Sequence, residues 1–497
     1  MALSKYQHLD RRVPIEEGNI ALVQDLDKCK NCTLCRRACV NDAGVYEHYD
    51  LFTNGDHPVC IHCGQCASAC PFDSINERSE VDLVKAAVED PDKVVVFQTA
   101  PAVRVGLGEE FGNEFGTFVE GKMITALRKL GGDYVLDTNF GADMTIMEEA
   151  SELIQRVLHG AGKIPQFTSC CPGWVKFAET FYPEYLSNLS TAKSPILMEA
   201  AAQKTYFAEK NNIDPKQMVT VCVTPCTAKK FEIRRPEMNA AGRSMDDENM
   251  RDSDYCITVR ELAKWLRAEN IDFNALEDGQ FDALMGQASG GGIIFGNTGG
   301  VMESAMRAAY EFVTKEPAPK ELIPFEAIRG LDCCREADVQ IGDVTLHVAA
   351  VHGTGNFRKF KQHMDESGTH YDFIEVMACP GGCIGGGGMP RVKMPQVKAA
   401  REARIASLYN RDSQVKVKAA CDNPEIIEMY KDYFGEPLSH KAHELLHSDA
   451  FVDRSDVLGP NGACTPETCP QSVANLKKLA DDIEETRLRI SHLTRLN

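Results

Sequence analysis

Eight of the 20 cysteines in this chain lie between residues 29 and 70, in two copies of one pattern. Each copy has the spacing C-x2-C-x2-C-x3-C, and a proline follows the second copy. Spacings of two residues let three thiolates surround one [4Fe–4S] cubane, while the fourth cysteine of each run binds the other cluster. The spacing therefore predicts two clusters. Their ligands would be Cys29, Cys32, Cys35 and Cys70 for the first, and Cys60, Cys63, Cys66 and Cys39 for the second.

Zinc ribbons are the alternative interpretation of these runs, because paired thiolates also bind zinc. Two tandem copies of the complete four-cysteine run favour iron–sulfur clusters. Residues 25–75 resemble a bacterial two-cluster ferredoxin, and this resemblance implies that the segment relays electrons.

The rest of the composition limits where such a chain can work and what it can bind. Twenty cysteines in 497 residues are too many for inert packing and too few for a disulfide scaffold. The first 19 residues lack the apolar stretch of a signal peptide, and no apolar run approaches the roughly 18 residues of a membrane span. We therefore expect a reducing cytoplasm. A net charge of −19 argues against nucleic acid or an anionic membrane as the main partner.

Beyond residue 93, apolar strand-like segments alternate with amphipathic segments that have helical periodicity, as at 118–131 and 144–160. This alternation predicts an α/β fold with mostly parallel sheets. The strand-like segments are 93–100, 133–140, 164–171, 218–226, 344–353 and 371–379.

Three of these predicted strands end at cysteines. They are Cys170 and Cys171, then Cys226, then Cys379 with Cys383 close behind. Ligands of open α/β sheets bind at the carboxyl ends of strands. Four thiolates from three strand ends could hold one more cubane, and buried structural cysteines are the alternative.

Three segments around these cysteines resemble the signature motifs of the [FeFe]-hydrogenases. They read TSCCPGW (168–174), TPCTAKKFE (224–232) and EVMACPGGCIGGGG (375–388), and the resemblance covers about residues 1–447. It implies reversible conversion of protons and electrons to H2. It also implies a ferredoxin-like α+β domain at 1–84, a two-lobed catalytic domain at 85–447 and a C-terminal helical extension at 448–497.

The resemblance also implies which residues hold the H-cluster, a [4Fe–4S] cubane joined to a two-iron subcluster that carries CO, CN and a bridging dithiolate. The cubane ligands would be Cys171, Cys226, Cys379 and Cys383, with Cys383 bridging to the two-iron unit. Lys229 would donate a hydrogen bond to one cyanide. Pro101 and Ala102 would cradle the other cyanide, and Phe295 and Met377 would keep the pocket dry.

A proton route is implied in the same way. Cys170 is not a ligand in the family, and it would exchange protons with the bridging amine, because a thiol pKa of roughly 8.5 lies close to neutrality. The route outward would pass through Glu149, Ser190 and Glu152 to Arg156 at the surface. A solvated helix face is the alternative interpretation of the two glutamates.

Three residues depart from the family pattern. Thr224 stands where methionine is usual, Ala102 where serine is usual and Ile196 where glutamine is usual. We expect a divergent subgroup with an altered cluster potential.

The expected enzyme is a ferredoxin-dependent hydrogenase that needs maturation enzymes to build its cofactor. Its electron partner would be ferredoxin or a similar acidic carrier, steered by basic residues around the first cysteine run. These basic residues are Lys28, Lys30, Arg36 and Arg37.

Two alternatives share the fold: a sensory or regulatory hydrogenase-like protein, and a non-catalytic iron–sulfur assembly factor. The presence of Cys170 argues against the first, and the intact TSCCPGW and Lys229 motifs argue against the second.

Seven cysteines have no assigned role. We expect Cys222 and Cys333 to lie in the core, and Cys464 and Cys469 to lie in a loop. A metal or a disulfide at that last pair is the alternative. Residues 474–497 read as an amphipathic helix.

Overall fold

The computed structural model describes residues 12–465 and 467–469 of the chain, so the predicted helix at 474–497 lies outside the described residues. The strands are β1 (Leu22–Gln24), β2 (Ile75–Glu77), β3 (Val94–Thr99), β4 (Tyr134–Asp137), β5 (Gln166–Phe167), β6 (Met218–Thr224), β7 (Tyr255–Thr258), β8 (Cys334–Ile341), β9 (Val344–His352) and β10 (Phe373–Met377).

The α-helices lie mainly between these strands. They are α1 (Leu34–Arg37), α2 (Gln65–Ala69), α3 (Val81–Glu89), α4 (Glu120–Lys129), α5 (Thr138–His159), α6 (Pro172–Phe181), α7 (Pro195–Ala202), α8 (Ala208–Asn211), α9 (Lys229–Glu232), α10 (Ala240–Ser244), α11 (Val259–Ala268), α12 (Gly290–Ile294), α13 (Gly300–Thr314), α14 (Thr354–Ser367), α15 (Val397–Gln414), α16 (Pro424–Met429) and α17 (His440–Leu446).

Two four-stranded sheets form the two lobes of the larger domain. The first has the order β4-β3-β6-β7 and is parallel throughout. The second has the order β5-β10-β9-β8, in which only the β8–β9 pair is antiparallel. A small antiparallel pair, β1 with β2, belongs to the N-terminal cysteine-rich module. The predicted α/β class with mostly parallel sheets and a small α+β module is confirmed.

Helix α5 is the central helix, and 16 of its 22 residues are buried. It packs against α7 and α13. Its N-terminus corrects a sequence expectation, because the predicted strand 133–140 ends at Asp137 instead. The Asp137 side chain accepts a hydrogen bond from the Asn139 amide and so caps the helix. Gly160 ends the helix in the left-handed region at φ 65°.

Within the described residues, we find no helix with the length and apolar content that a membrane crossing requires.

Candidate functional site

The N-terminal cysteines gather into the two groups that their spacing predicts. Four of them line one cavity: Cys29, Cys32, Cys35 and Cys70. The other four thiols also lie close to one another. Burial raises the pKa of Cys66, and the neighbouring Cys60 and Cys39 thiols raise it further. The pKa of Cys63 is raised in the same way, first by burial and then by the neighbouring Cys66, Cys39 and Cys60 thiols. The fourth cysteine of each run thus lies beside the three cysteines of the other.

The first group lies nearest to solvent, where Cys32 is exposed. Lys28, Lys30 and Arg37 are exposed around it. Arg36 is half-buried, and its guanidinium pairs with Glu47. Two large apolar side chains are also exposed on this module, Leu26 at 48% and Phe72 at 41%.

The second cysteine site is built between the two lobes. Cys226 follows β6 of the first sheet, whereas Cys171 follows β5, and Cys379 and Cys383 follow β10 of the second sheet. Burial raises the pKa of the Cys383 thiol, and the neighbouring Cys171 and Cys226 thiols raise it further. The pKa of Cys379 is also raised, by burial and then by three other cysteines that include Cys171 and Cys383. The structure thus brings together the four thiols that the three motifs single out.

The backbone around these thiols leaves no room for side chains. Gly382 has φ +90°, and a Cβ on it would lie 2.6 Å from the Thr298 amide nitrogen. A Cβ on Gly386 would lie 2.4 Å from the Pro225 carbonyl oxygen. Gly386 therefore lets the Cys383 loop approach the Cys226 segment closely, and Gly382 lets the same loop approach Thr298.

The chemistry of the donor set fits a cluster. Four buried or half-buried thiols are the usual ligands of a [4Fe–4S] cubane. No three or more His, Cys, Asp or Glu side chains in the described part of the chain converge tightly enough for a single metal ion. The ligands of a cubane lie farther apart than those of a single ion, since each of its four thiolates binds a different iron atom.

Lys229 lies at the start of α9 beside this site, and its side chain is buried. Its ammonium donates to the Cys170 carbonyl at 3.0 Å and to Glu232 Oε2 at 2.8 Å. Burial opposes the charged form, but Glu232 and then Cys226 outweigh it and raise the Lys229 pKa. Sequence reasoning missed Glu232, although its position three residues after Lys229 on a helix was the available signal.

Cys170 is buried, with 7% of its surface exposed. Burial first and Glu149 second raise its pKa, so the thiol keeps its proton at neutral pH. It lies in one core cluster with Phe295 and Met377, the residues expected to keep the pocket dry. Pro101 and Ala102 are buried at the start of the 3-10 turn that follows β3.

The expected proton route forms a partly connected chain. Glu149 and Glu152 are both buried on α5. Ser190 Oγ donates to Glu152 Oε2 at 2.7 Å, and Arg156 donates to Glu152 Oε1 at 2.6 Å. Neither carboxyl oxygen of Glu149 has a hydrogen-bond partner of normal length and angle among the described residues. Burial, and then the nearby Glu152, raise the pKa of Glu149 to about 8.

Arg156 corrects a sequence expectation, because it is buried at 6% exposure and does not lie at the surface. Besides Glu152, its guanidinium donates to three backbone carbonyls, which explains its burial. They belong to Lys163, Asn188 and Leu189.

The three departures from the family pattern have different surroundings. Thr224 lies at the end of β6, where its hydroxyl accepts a hydrogen bond from the Cys226 amide at 3.3 Å. Ala102 is fully buried. Ile196 packs in a small apolar cluster with Cys222 and Cys256.

Four of the remaining cysteines carry an expectation, and Cys333 is the one that departs from it. Cys222 is buried as expected, but Cys333 is exposed, because it precedes β8 and does not belong to the strand. Cys464 and Cys469 lie in a loop against the N-terminal module. Their thiols face the carbonyl oxygens of Glu47 and Tyr49 at 3.7 and 3.3 Å.

Three family models match the chain. The iron only hydrogenase large subunit, C-terminal domain, matches residues 93–387. The iron hydrogenase small subunit matches residues 398–449, and a 4Fe-4S dicluster domain matches residues 21–78.

Individual proteins agree with these models. Iron hydrogenase 1 of Clostridium pasteurianum is 44% identical over 88% of this chain and 77% of its own length. The NADP-reducing hydrogenase subunit HndD of Solidesulfovibrio fructosivorans is 44% identical over 87% of this chain and 74% of its own length. A solved structure of [FeFe]-hydrogenase HydA1 from Chlamydomonas reinhardtii, in a variant form, superposes with a TM-score of 0.66 at 39% identity. The superposition covers 76% of this chain and 99% of the HydA1 chain.

A protein of another class is a more distant match. The cytosolic iron-sulfur assembly component 3 of Bos taurus is 29% identical over 78% of this chain and 82% of its own length.

Proposed function

This chain belongs to the iron-only hydrogenase family, and from that premise we propose which of its residues hold the cofactors and move protons and electrons. It is an oxidoreductase that interconverts H2 with protons and electrons, and its cofactors are [4Fe–4S] clusters and the H-cluster. The observation that carries our residue assignment is the gathering of four strand-end thiols between the lobes, with Cys170 and Lys229 beside them.

The proposed ligands of the active-site cubane are Cys171, Cys226, Cys379 and Cys383. The two groups of N-terminal cysteines would hold the relay clusters. When bound, the H-cluster supplies the iron centre at which protons and electrons combine. The protein positions it, excludes water with Phe295 and Met377, and offers the Lys229 ammonium to an anionic ligand.

Protons would reach the site through Glu152, Ser190, Glu149 and finally Cys170. Two features support this route: the Ser190–Glu152–Arg156 hydrogen bonds, and the influence of Glu149 on the Cys170 thiol. In this proposal Arg156 orients Glu152 and fixes the end of the route, because its donors are taken up by Glu152 and backbone carbonyls.

We expect Glu149→Gln to lower hydrogen evolution by roughly 10² to 10⁴-fold, the usual contribution of a positioned acid–base group. Glutamine has nearly the same shape but cannot donate and regain a proton. With a pKa of about 8, Glu149 is protonated at neutral pH and loses its proton as the pH rises. Hydrogen evolution by the native enzyme should therefore fall near pH 8. Rates measured from pH 6 to 9 should lack that inflection in the variant.

The control for this experiment is Glu184→Gln, which neutralises an exposed glutamate on the same lobe. It should leave the rate and the pH profile unchanged. A Glu149→Gln enzyme with native rate and native pH profile would exclude Glu149 from the route.

We propose that electrons arrive from ferredoxin or a similar small acidic carrier at the first cysteine group. The exposed Cys32 and the three exposed basic residues around it support this assignment. Leu26 and Phe72 add an apolar contact area. A nicotinamide-linked subunit is the second candidate donor, since one 44% identical relative is named as NADP-reducing.

Reversing two of these charges, in Lys30→Glu with Arg37→Glu, should weaken the reaction with ferredoxin but not with a small viologen dye. Electrostatic steering changes association rates by about 10 to 10³-fold, so we expect kcat/KM for ferredoxin to fall by about tenfold or more at low salt. The measurement is hydrogen evolution with each donor across a salt series.

A matched control reverses two exposed lysines elsewhere, in Lys320→Glu with Lys416→Glu, and gives the same net charge. It should retain the native rate with ferredoxin. Equal losses with ferredoxin and dye, or equal losses in both double variants, would refute the docking surface.

We further propose a cytoplasmic location, because thiols destined for clusters must stay reduced until the clusters are inserted. The boundaries 1–84, 85–447 and 448–497 remain our proposed domain limits.

A further inference from the structure

The N-terminal module contacts the catalytic lobes at the glycine-rich segment that follows Cys383. Here two backbones touch, since a Cβ on Gly387 would lie 2.2 Å from the Cys63 carbonyl oxygen and 2.6 Å from the Gly64 Cα. Thr227, the neighbour of Cys226, donates to the His62 carbonyl at 2.6 Å. The second relay group and the active-site thiols therefore meet across one short junction.

Gln65 lies at the centre of this junction. It is the first residue of α2, directly before Cys66, and only 4% of its surface is exposed. Its amide nitrogen donates to the carbonyl oxygen of Gly385 at 2.9 Å. Gly385 belongs to the 3-10 turn Cys383–Gly385, so this bond joins the relay module to the loop of an active-site thiol.

The same side chain also lies beside an active-site thiol. The Gln65 amide lowers the pKa of Cys379, in opposition to the larger effect of burial. A primary amide carries two N–H donors, so Gln65 can serve the Gly385 carbonyl and the Cys379 sulfur at once. Cys63 also influences the Cys379 thiol, which shows how closely the two cysteine groups approach.

We propose that Gln65 is a positioning residue that tunes the active-site cubane from the relay module, by donating one hydrogen bond to Cys379 and one to Gly385. Hydrogen bonds to the sulfurs of a cluster stabilise its more negative, reduced form and so raise its reduction potential. Gln65 thereby favours electron transfer from the second relay cluster to the cubane. This inference rests on the proposed ligand assignment of Cys379.

The test compares Gln65→Met with Ser68→Ala in the full, cofactor-loaded chain. Methionine has a similar length but no donor. Ser68 makes a separate cross-junction bond, with its hydroxyl donating to the Gly387 carbonyl at 3.1 Å. Redox titration followed by electron paramagnetic resonance and infrared spectroscopy reports the midpoint potential of each cluster. We expect the reduction potential of the active-site cubane to be lower in Gln65→Met. In Ser68→Ala, the potentials of the cubane and of the first relay cluster should be unchanged.

Gln65→Leu is a second variant of similar size, for use if the methionine variant does not retain the cubane. Its side chain also has no donor, so the cubane potential should fall as in Gln65→Met. An unchanged cubane potential in either loaded variant, or an equal shift in Ser68→Ala, would overturn the inference. A wrong ligand assignment would be recognised separately. If Cys379 is not a ligand, Cys379→Ala would keep a native cubane signal.

Discussion

Replacing Cys170 with alanine should lower hydrogen evolution by at least about 10³-fold while every cluster stays in place. Cys170 is the one thiol at the active site that the assignment leaves without a metal. Its proton is retained at neutral pH, because burial and Glu149 raise its pKa. Alanine removes the group that exchanges protons between the route and the site, and it leaves the four proposed ligands untouched.

The measurement for this variant has two parts. Hydrogen evolution from a reduced viologen dye reports turnover, and the infrared bands of CO and CN report the two-iron unit. Cys333→Ala is the matched control, because the Cys333 thiol is exposed and is not among the proposed cluster ligands. It should keep both the native rate and the native bands. Native turnover by Cys170→Ala would remove Cys170 from the mechanism.

The second large effect is expected for Cys383→Ala, which should lose hydrogen evolution completely together with the CO and CN bands. We propose Cys383 as both a cubane ligand and the link to the two-iron unit, so no other side chain can replace it. After burial, the neighbouring Cys171 and Cys226 thiols raise the pKa of Cys383, which agrees with a shared cluster. The two N-terminal clusters should keep their electron paramagnetic resonance signals, since their ligands lie in another module.

The comparison for Cys383→Ala is Cys170→Ala, because both remove one thiol from the same site. Only Cys383→Ala should lose the bands of the two-iron unit. Bands of native intensity in Cys383→Ala would disprove the bridging role, whatever the rate.

The local part of the site could be predicted from the sequence alone. The run spacings were sufficient to assign Cys70 and Cys39 to opposite groups, because ligands only two or three residues apart leave few arrangements. The strand-like apolar segments likewise predicted the sheets, and Cys226 and Cys379 lie just after β6 and β10 as expected.

The parts that depend on tertiary packing could not be predicted from residue patterns. Cys226 comes from one sheet and Cys379 from the other, so no spacing along the chain reveals that they meet. The sequence pattern predicts Arg156 at the surface near the end of a helix. Its guanidinium is buried, because it donates to the carbonyl of Lys163 in the following loop and to those of Asn188 and Leu189 in a separate segment. Cys333 reads as part of an apolar segment, but the strand begins one residue later. The Gln65–Gly385 contact spans 320 positions, and only the structure places the two together.

The central claim is that this chain holds an H-cluster at Cys171, Cys226, Cys379 and Cys383 and turns over hydrogen there. The most direct measurement is the infrared spectrum of the maturated protein, recorded on the same sample that is assayed for hydrogen evolution from a reduced dye. We predict CO and CN bands together with steady hydrogen evolution. A fully maturated sample that contains its iron but shows neither bands nor hydrogen would contradict the account.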